Sequence, residues 1–150
     1  MIQFSKFTLD NGLRVIVHQD TATPLAVFNL LYDVGARDES PDRTGFAHLF
    51  EHLMFQGSKN HNKEYFEPLE KIGAQINGST NTDRTNYYET VPSNYLELAL
   101  WLEADRMGFL LPALSQEKLD NQREVVKNER RQRVDNQPYG QSMEKMLGAL

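Results

Sequence analysis

Apolar and polar positions divide the chain into short, clearly punctuated segments. Phe4 to Leu9 and Leu13 to His18 alternate around Asp10-Asn11-Gly12, and Asn-Gly between alternating runs predicts a β-hairpin. After Pro24, Leu25 to Val34 is a dense apolar run that reads as a central strand. Gly35 to Asp42 reads as a loop with Ser40-Pro41 as a helix start, and the helix that follows stops at Gly57. His61 to Ile72 has the spacing of a second amphipathic helix, ended by Gly73.

Gln75 to Thr80 and Thr85 to Val91 then read as two strands joined by the polar turn Asn81 to Arg84. Pro92-Ser93-Asn94 caps a helix from Tyr95 to about Leu110. Pro112 breaks the chain, and Ser115 is placed to cap a long helix that runs to about Asn136. Gln137 to Gly140 interrupts it before a last helical stretch. Strands arrive as hairpins and helices in separate blocks, which predicts an α+β fold: an antiparallel sheet with helices packed on one face.

Composition narrows the class. A chain of 150 residues, 39% hydrophobic and 25% charged, can bury one real core and is too short for two. The net charge of −5 and the lack of a basic stripe argue against nucleic acid as a partner. Arg130, Arg131 and Arg133 read as a solvated helix face. Without cysteine there are no disulfides to indicate a compartment. No apolar run reaches the length of a membrane span. Nothing after Met1 resembles a signal peptide, so the expected location is cytoplasmic, or periplasmic if Met1 starts a mature form.

The candidate chemistry lies in His48-Leu49-Phe50-Glu51-His52. On a helix, with His48 at zero, His52 falls at about 40° and Glu51 at about 300°, all on one face within one turn. Two imidazoles so placed can share one metal, and the carboxylate beside them can reach a water on it. This is the mirrored order of the better-known His-Glu-x-x-His motif. His18 and His61 have no such companions and read as surface residues. Tyr87, Tyr88, Trp101 and Phe109 read as core.

Such a site lacks one protein ligand. In the Ser115 to Asn136 helix, Glu129 follows Val125 and Val126 by four and three residues and so shares their apolar face. A carboxylate there must be paired, neutralised or bound to a metal. Glu117 and Glu124 are the other acidic candidates on this helix, but Glu124 is about 140° away. Gln122 is near the Glu129 face, but an amide is a poor zinc ligand.

The pattern His48-x-x-Glu51-His52, then 76 residues, then Glu129, resembles the pitrilysin (insulinase) family of zinc peptidases. Phe7 to Val15, Val34 to Glu39, Asn77 to Thr80 and Thr85 to Tyr88 resemble further stretches of that family, so nearly the whole chain is covered. The resemblance implies one zinc held by His48, His52 and Glu129, with Glu51 activating water for peptide hydrolysis. It implies that the strand carrying Asn77, Gly78 and Ser79 pairs with the substrate as an added β-strand. It also implies that residues 1–150 are the N-terminal part of a longer chain, to be completed by a C-terminal half or a second family subunit. Two positions depart from the family pattern: Gln122, where an acid is common, and Gly78, where Ala is common. The alternative reading is a non-catalytic relative that stabilises a partner subunit; such relatives typically lose motif residues, and here all four are present.

Overall fold

In a computed structural model describing residues 2–149, the Asn11-Gly12 turn closes the first hairpin. Gly12 adopts φ 87°, and its N–H donates to the Leu9 carbonyl at 2.8 Å. The turn joins β1 (Ser5–Thr8) to β2 (Arg14–Val17), with Phe7 opposite Val15. Among the described residues this hairpin remains a separate two-stranded sheet.

The main sheet contains β3 (Leu25–Tyr32), β4 (Gln75–Thr80) and β5 (Thr85–Pro92) in the order β3-β5-β4, with both pairings antiparallel. The expectation of a central strand at Leu25 to Val34 is therefore wrong: among the described residues β5 is central and β3 is an edge. An apolar run on both faces suggested burial on both faces. Helices cover only one of them here: Leu30 is buried, whereas Val27 is 71% and Leu31 58% exposed.

The helices are α1 (Phe46–Leu53), α2 (Glu67–Glu70), α3 (Leu96–Phe109), α4 (Gln116–Arg130) and α5 (Ser142–Leu147). α1 and α3 pack on the sheet face that carries Tyr87 and Val91, and α4 packs on α1. Where a helix over His61 to Ile72 was expected, only the single turn α2 forms. Pro68 lies inside that stretch, and in a longer helix it would remove a bond and clash with the preceding turn. Asp105 fixes the segment upstream, accepting from Ser58 Oγ, from Asn60 N at 3.1 Å and from Asn60 Nδ2.

Tyr65, Leu69, Val91, Ala99 and Leu102 form the main apolar cluster, and Met54, Tyr87 and Leu110 form a second. Burial of each large side chain contributes about 1.5–3 kcal/mol. Of the four aromatics expected in the core, only Tyr87 is there; Tyr88, Trp101 and Phe109 are 37–48% exposed.

Between α3 and β5 lies a buried polar network. The Arg106 guanidinium binds Glu103 through Nε at 2.9 Å and also through Nη2. It stacks 4.0 Å from the Tyr65 ring centre and 4.3 Å from that of Tyr87. The Tyr65 hydroxyl lies against the carboxylates of Glu89 and, at 3.0 Å, Glu103. Burial raises the Glu89 carboxyl to about 7, with the Tyr65 hydrogen bond opposing and the Glu103 charge adding to the rise. No helix among the described residues is long and apolar enough to cross a membrane.

Candidate metal centre

The helix that carries the histidines is started by a side chain from outside it. Gly45, with φ 89°, precedes α1 and has no side chain to cap it. Glu39 does so instead, accepting from Gly45 N and Ala47 N, both at 2.7 Å. That is why α1 begins at Phe46 and not at Ser40-Pro41. The carboxylate satisfies two otherwise orphaned N–H groups and complements the positive helix end.

The loop bearing Glu39 is itself anchored to the β4–β5 turn. Ala36 N and Arg37 N donate to the carbonyls of Asn81 and Thr82 at 3.1 and 2.9 Å. A Cβ on Gly35 would meet those two carbonyl oxygens at 2.5 Å, so only glycine allows this approach.

On α1 the helical repeat brings His48 and His52 together, with their Nε2 atoms 3.3 Å apart. α4 is capped at Ser115, whose hydroxyl accepts from Lys118 N at 3.2 Å, as the sequence suggested. Its inner face carries Gln122, Val126 and Glu129, while Val125 is 41% exposed, so the apolar face is turned slightly from the expected one. α4 delivers Glu129 Oε2 to 3.2 Å from His52 Nε2 and 3.7 Å from His48 Nε2. Arg133, one turn on, holds the other oxygen of Glu129.

These three atoms fit a metal ion. A tetrahedral zinc with nitrogen and oxygen ligands near 2.0–2.1 Å has ligand–ligand edges of about 3.3 Å. The observed spacings of 3.2, 3.3 and 3.7 Å match that triangle. Ring nitrogen and carboxylate lone pairs brought this close repel unless a proton or a cation lies among them. Among the described residues this is the group of three His or acidic side chains that could hold a metal.

Glu51 stands beside the triad, and its Oε2 accepts from the hydroxyl of Thr80 on β4. β4 is the other edge of the sheet, and its free side opens onto a cleft of about 520 Å3 that also contains His48, His52, Glu129 and the buried Gln122. Ladder alternation, phased by the Asn81 N–H to Arg84 carbonyl bond of 3.0 Å, turns the Gly78 N–H and carbonyl away from β5. The Gly78 N–H is taken by Asn77 Oδ1 at 2.8 Å. Ser79 is fixed by its hydroxyl bond to Asn86 Oδ1 at 2.7 Å and by Arg84 Nη1, which reaches the Ser79 carbonyl at 3.2 Å.

Asn77, Gly78 and Ser79 thus line the cleft that the triad occupies. His18 and His61 take no part: His18 Nδ1 lies 2.6 Å from the Gln3 carbonyl, and His61 Nε2 lies 3.4 Å from that of Glu64. Sequence reasoning missed Glu39, Thr80 and Arg133. The Glu129 to Arg133 spacing of four could have revealed the last; the other two depend on contacts distant in sequence.

The chain belongs to the insulinase family, peptidase family M16, whose model matches residues 14–149. It is 38% identical over 135 residues to a zinc protease of Helicobacter pylori, PqqE, covering 89% of this chain and 30% of that protein. It is 29% identical over 141 residues to the human insulin-degrading enzyme, covering 91% of this chain and 13% of the enzyme. Among solved structures it matches a protease from Helicobacter pylori with a TM-score of 0.85 at 34% identity, over 93% of this chain and 33% of that one. It matches pitrilysin with a TM-score of 0.77 at 28% identity, over 85% of this chain and 14% of that one. The chain therefore spans about a third or less of each of these relatives.

Proposed function

We propose that this chain is the zinc-binding part of an endopeptidase that hydrolyses peptides or unfolded segments. The observation that carries the reading is the convergence of His48 Nε2, His52 Nε2 and Glu129 Oε2 at the edge lengths of a metal tetrahedron. When bound, zinc acidifies water and polarises a carbonyl. Glu51, on the same helix face, takes the proton from the attacking water and passes it to the nitrogen of the leaving amine as the carbon–nitrogen bond breaks. The free edge of β4 holds the peptide as an added strand through Asn77, Gly78 and Ser79, and fixes its register.

Catalysis asks for a substrate held within about half an ångström and closed off from bulk water. The described residues present an open cleft, so we assign closure to the rest of the protein or to a second family subunit. The test uses the full-length protein on an unstructured peptide, with and without chelator, beside Glu51→Gln. Cleavage should need zinc, and Glu51→Gln should keep the metal while losing about 10²–10⁴-fold in rate. A wild-type protein that binds zinc but cleaves no peptide would instead support the non-catalytic, partner-stabilising role.

A further inference from the structure

We infer that Thr80 is the positioning residue for Glu51, fixing which carboxylate oxygen is free to receive a proton. The inference rests on the reading of Glu51 as the base. Thr80 is the last residue of β4, at the point where the edge strand turns toward β5. Among the described residues, its hydroxyl is the hydrogen-bond donor to Glu51, and it reaches Oε2.

The hydroxyl is itself held in place. Thr85 stands opposite Thr80 across the ladder, with their Oγ1 atoms 3.2 Å apart, and Thr85 Oγ1 is 3.1 Å from the Val34 carbonyl. Thr85 is only 4% exposed, so the hydroxyl that backs Thr80 is shielded from competing water. A β-branched side chain on a strand also has few χ1 choices, which keeps the donor aimed.

The opposite oxygen is left clear by Gly78. A Cβ at that position would come within 3.2 Å of Glu51 Oε1 and 3.3 Å of its Cγ, against the Phe55 ring as well. Thr80 therefore engages Oε2, while the glycine leaves Oε1 unobstructed beside the strand edge where the peptide is proposed to lie. The strand that positions the substrate thus also positions the base. Thr80 touches Glu51 and not the reacting atoms, so its effect should appear in kcat.

The test compares Thr80→Val, Thr80→Ser and Glu51→Gln in the full-length protein at equal zinc content. Thr80→Val keeps the side-chain shape and removes the donor. It should lower kcat by about 10–100-fold with KM within about twofold. Thr80→Ser should recover most of that loss. Thermal unfolding of the zinc-free protein gives a second readout through the cycle Thr80→Val, Glu51→Ala and the double variant. The Thr80→Val effect should shrink once Glu51 is gone, leaving only the part owed to Thr85.

Near-wild-type kcat in Thr80→Val, while Glu51→Gln is inactive, would overturn the inference and leave the proposed base intact. Additive melting effects, or a Thr80→Ser variant as impaired as Thr80→Val, would overturn it too. Full activity in Glu51→Gln would instead remove the premise that Glu51 is the base.

Discussion

The cluster of ionisable side chains beneath the main sheet and the one beside α1 are built on opposite terms. Beneath the sheet, Glu89, Glu103, Arg106 and Tyr65 are each at most 2% exposed, and the Arg106 charge faces the Glu103 carboxylate directly. Beside α1, the side chains of His48, His52 and Glu129 are 20–36% exposed, and their nitrogen and oxygen atoms converge on one point. The buried cluster supplies its own cation. The open one gathers three ligand atoms without a protein cation among them, and the distant oxygen of Glu129 meets Arg133. Burial of charge is therefore not what marks a site; donor atoms that converge without a shared protein partner are.

The largest structural effect that sharpens this contrast is expected at Arg106. Arg106→Ala leaves the Glu103 carboxylate buried without its partner and opens a cavity between Tyr65 and Tyr87, which should cost about 3–5 kcal/mol. Unfolding followed by circular dichroism measures it. Glu51→Gln at the open cluster should change stability by less than about 1 kcal/mol. If the two substitutions were equally destabilising, the distinction between a structural and a chemical cluster would fail.

Glu89 gives the next test, through pH. Its carboxyl stands at about 7 in the folded protein against an ordinary value of 4.5, chiefly because of burial. Between those values the folded chain binds more protons than the unfolded one, so the stability that Glu89 contributes is full below about pH 4.5 and lost as the pH rises through about 7. Glu89→Gln stays neutral throughout. Relative to it, zinc-free wild type should lose on the order of 1–3 kcal/mol between about pH 4.5 and about pH 7.5. A gap that does not change with pH would place the neutral form elsewhere in the network.

The smallest effect is expected at a pair that belongs to neither cluster. Arg130 Nη1 and Glu144 Oε1 meet at 2.6 Å, joining α4 to α5, but both side chains are half exposed. Arg130→Ala should shift stability by about 1 kcal/mol or less, and less still in high salt. A larger loss would mean that α5 is held far more firmly than its surface contacts suggest.

How much of this was legible in the sequence follows from the range of the contacts. The helix period alone put His48, Glu51 and His52 on one face, and the Asn11-Gly12 turn and the β4–β5 strands followed from local patterning. The Glu129 face was read nearly correctly, because Val126 is on it even though Val125 is not. What could not be read depends on partners far apart in the chain. Glu103, Asp105 and Arg106 look like a solvated helix face until Tyr65, Ser58 and Asn60 fold against them. The α1 start was misplaced because its cap comes from Glu39, six residues before Gly45. The overlong second helix had a local remedy in Pro68, which that expectation gave too little weight.

The account rests most heavily on the donor triangle, and zinc titration of the metal-free full-length protein tests it most directly. Wild type should bind one zinc per chain. His48→Ala and His52→Ala should each weaken binding by about 100-fold or more, and Glu129→Gln should also weaken it by removing a charged ligand. Arg106→Ala, where it remains folded, should bind as wild type does. Wild-type zinc affinity in both histidine variants would contradict the account.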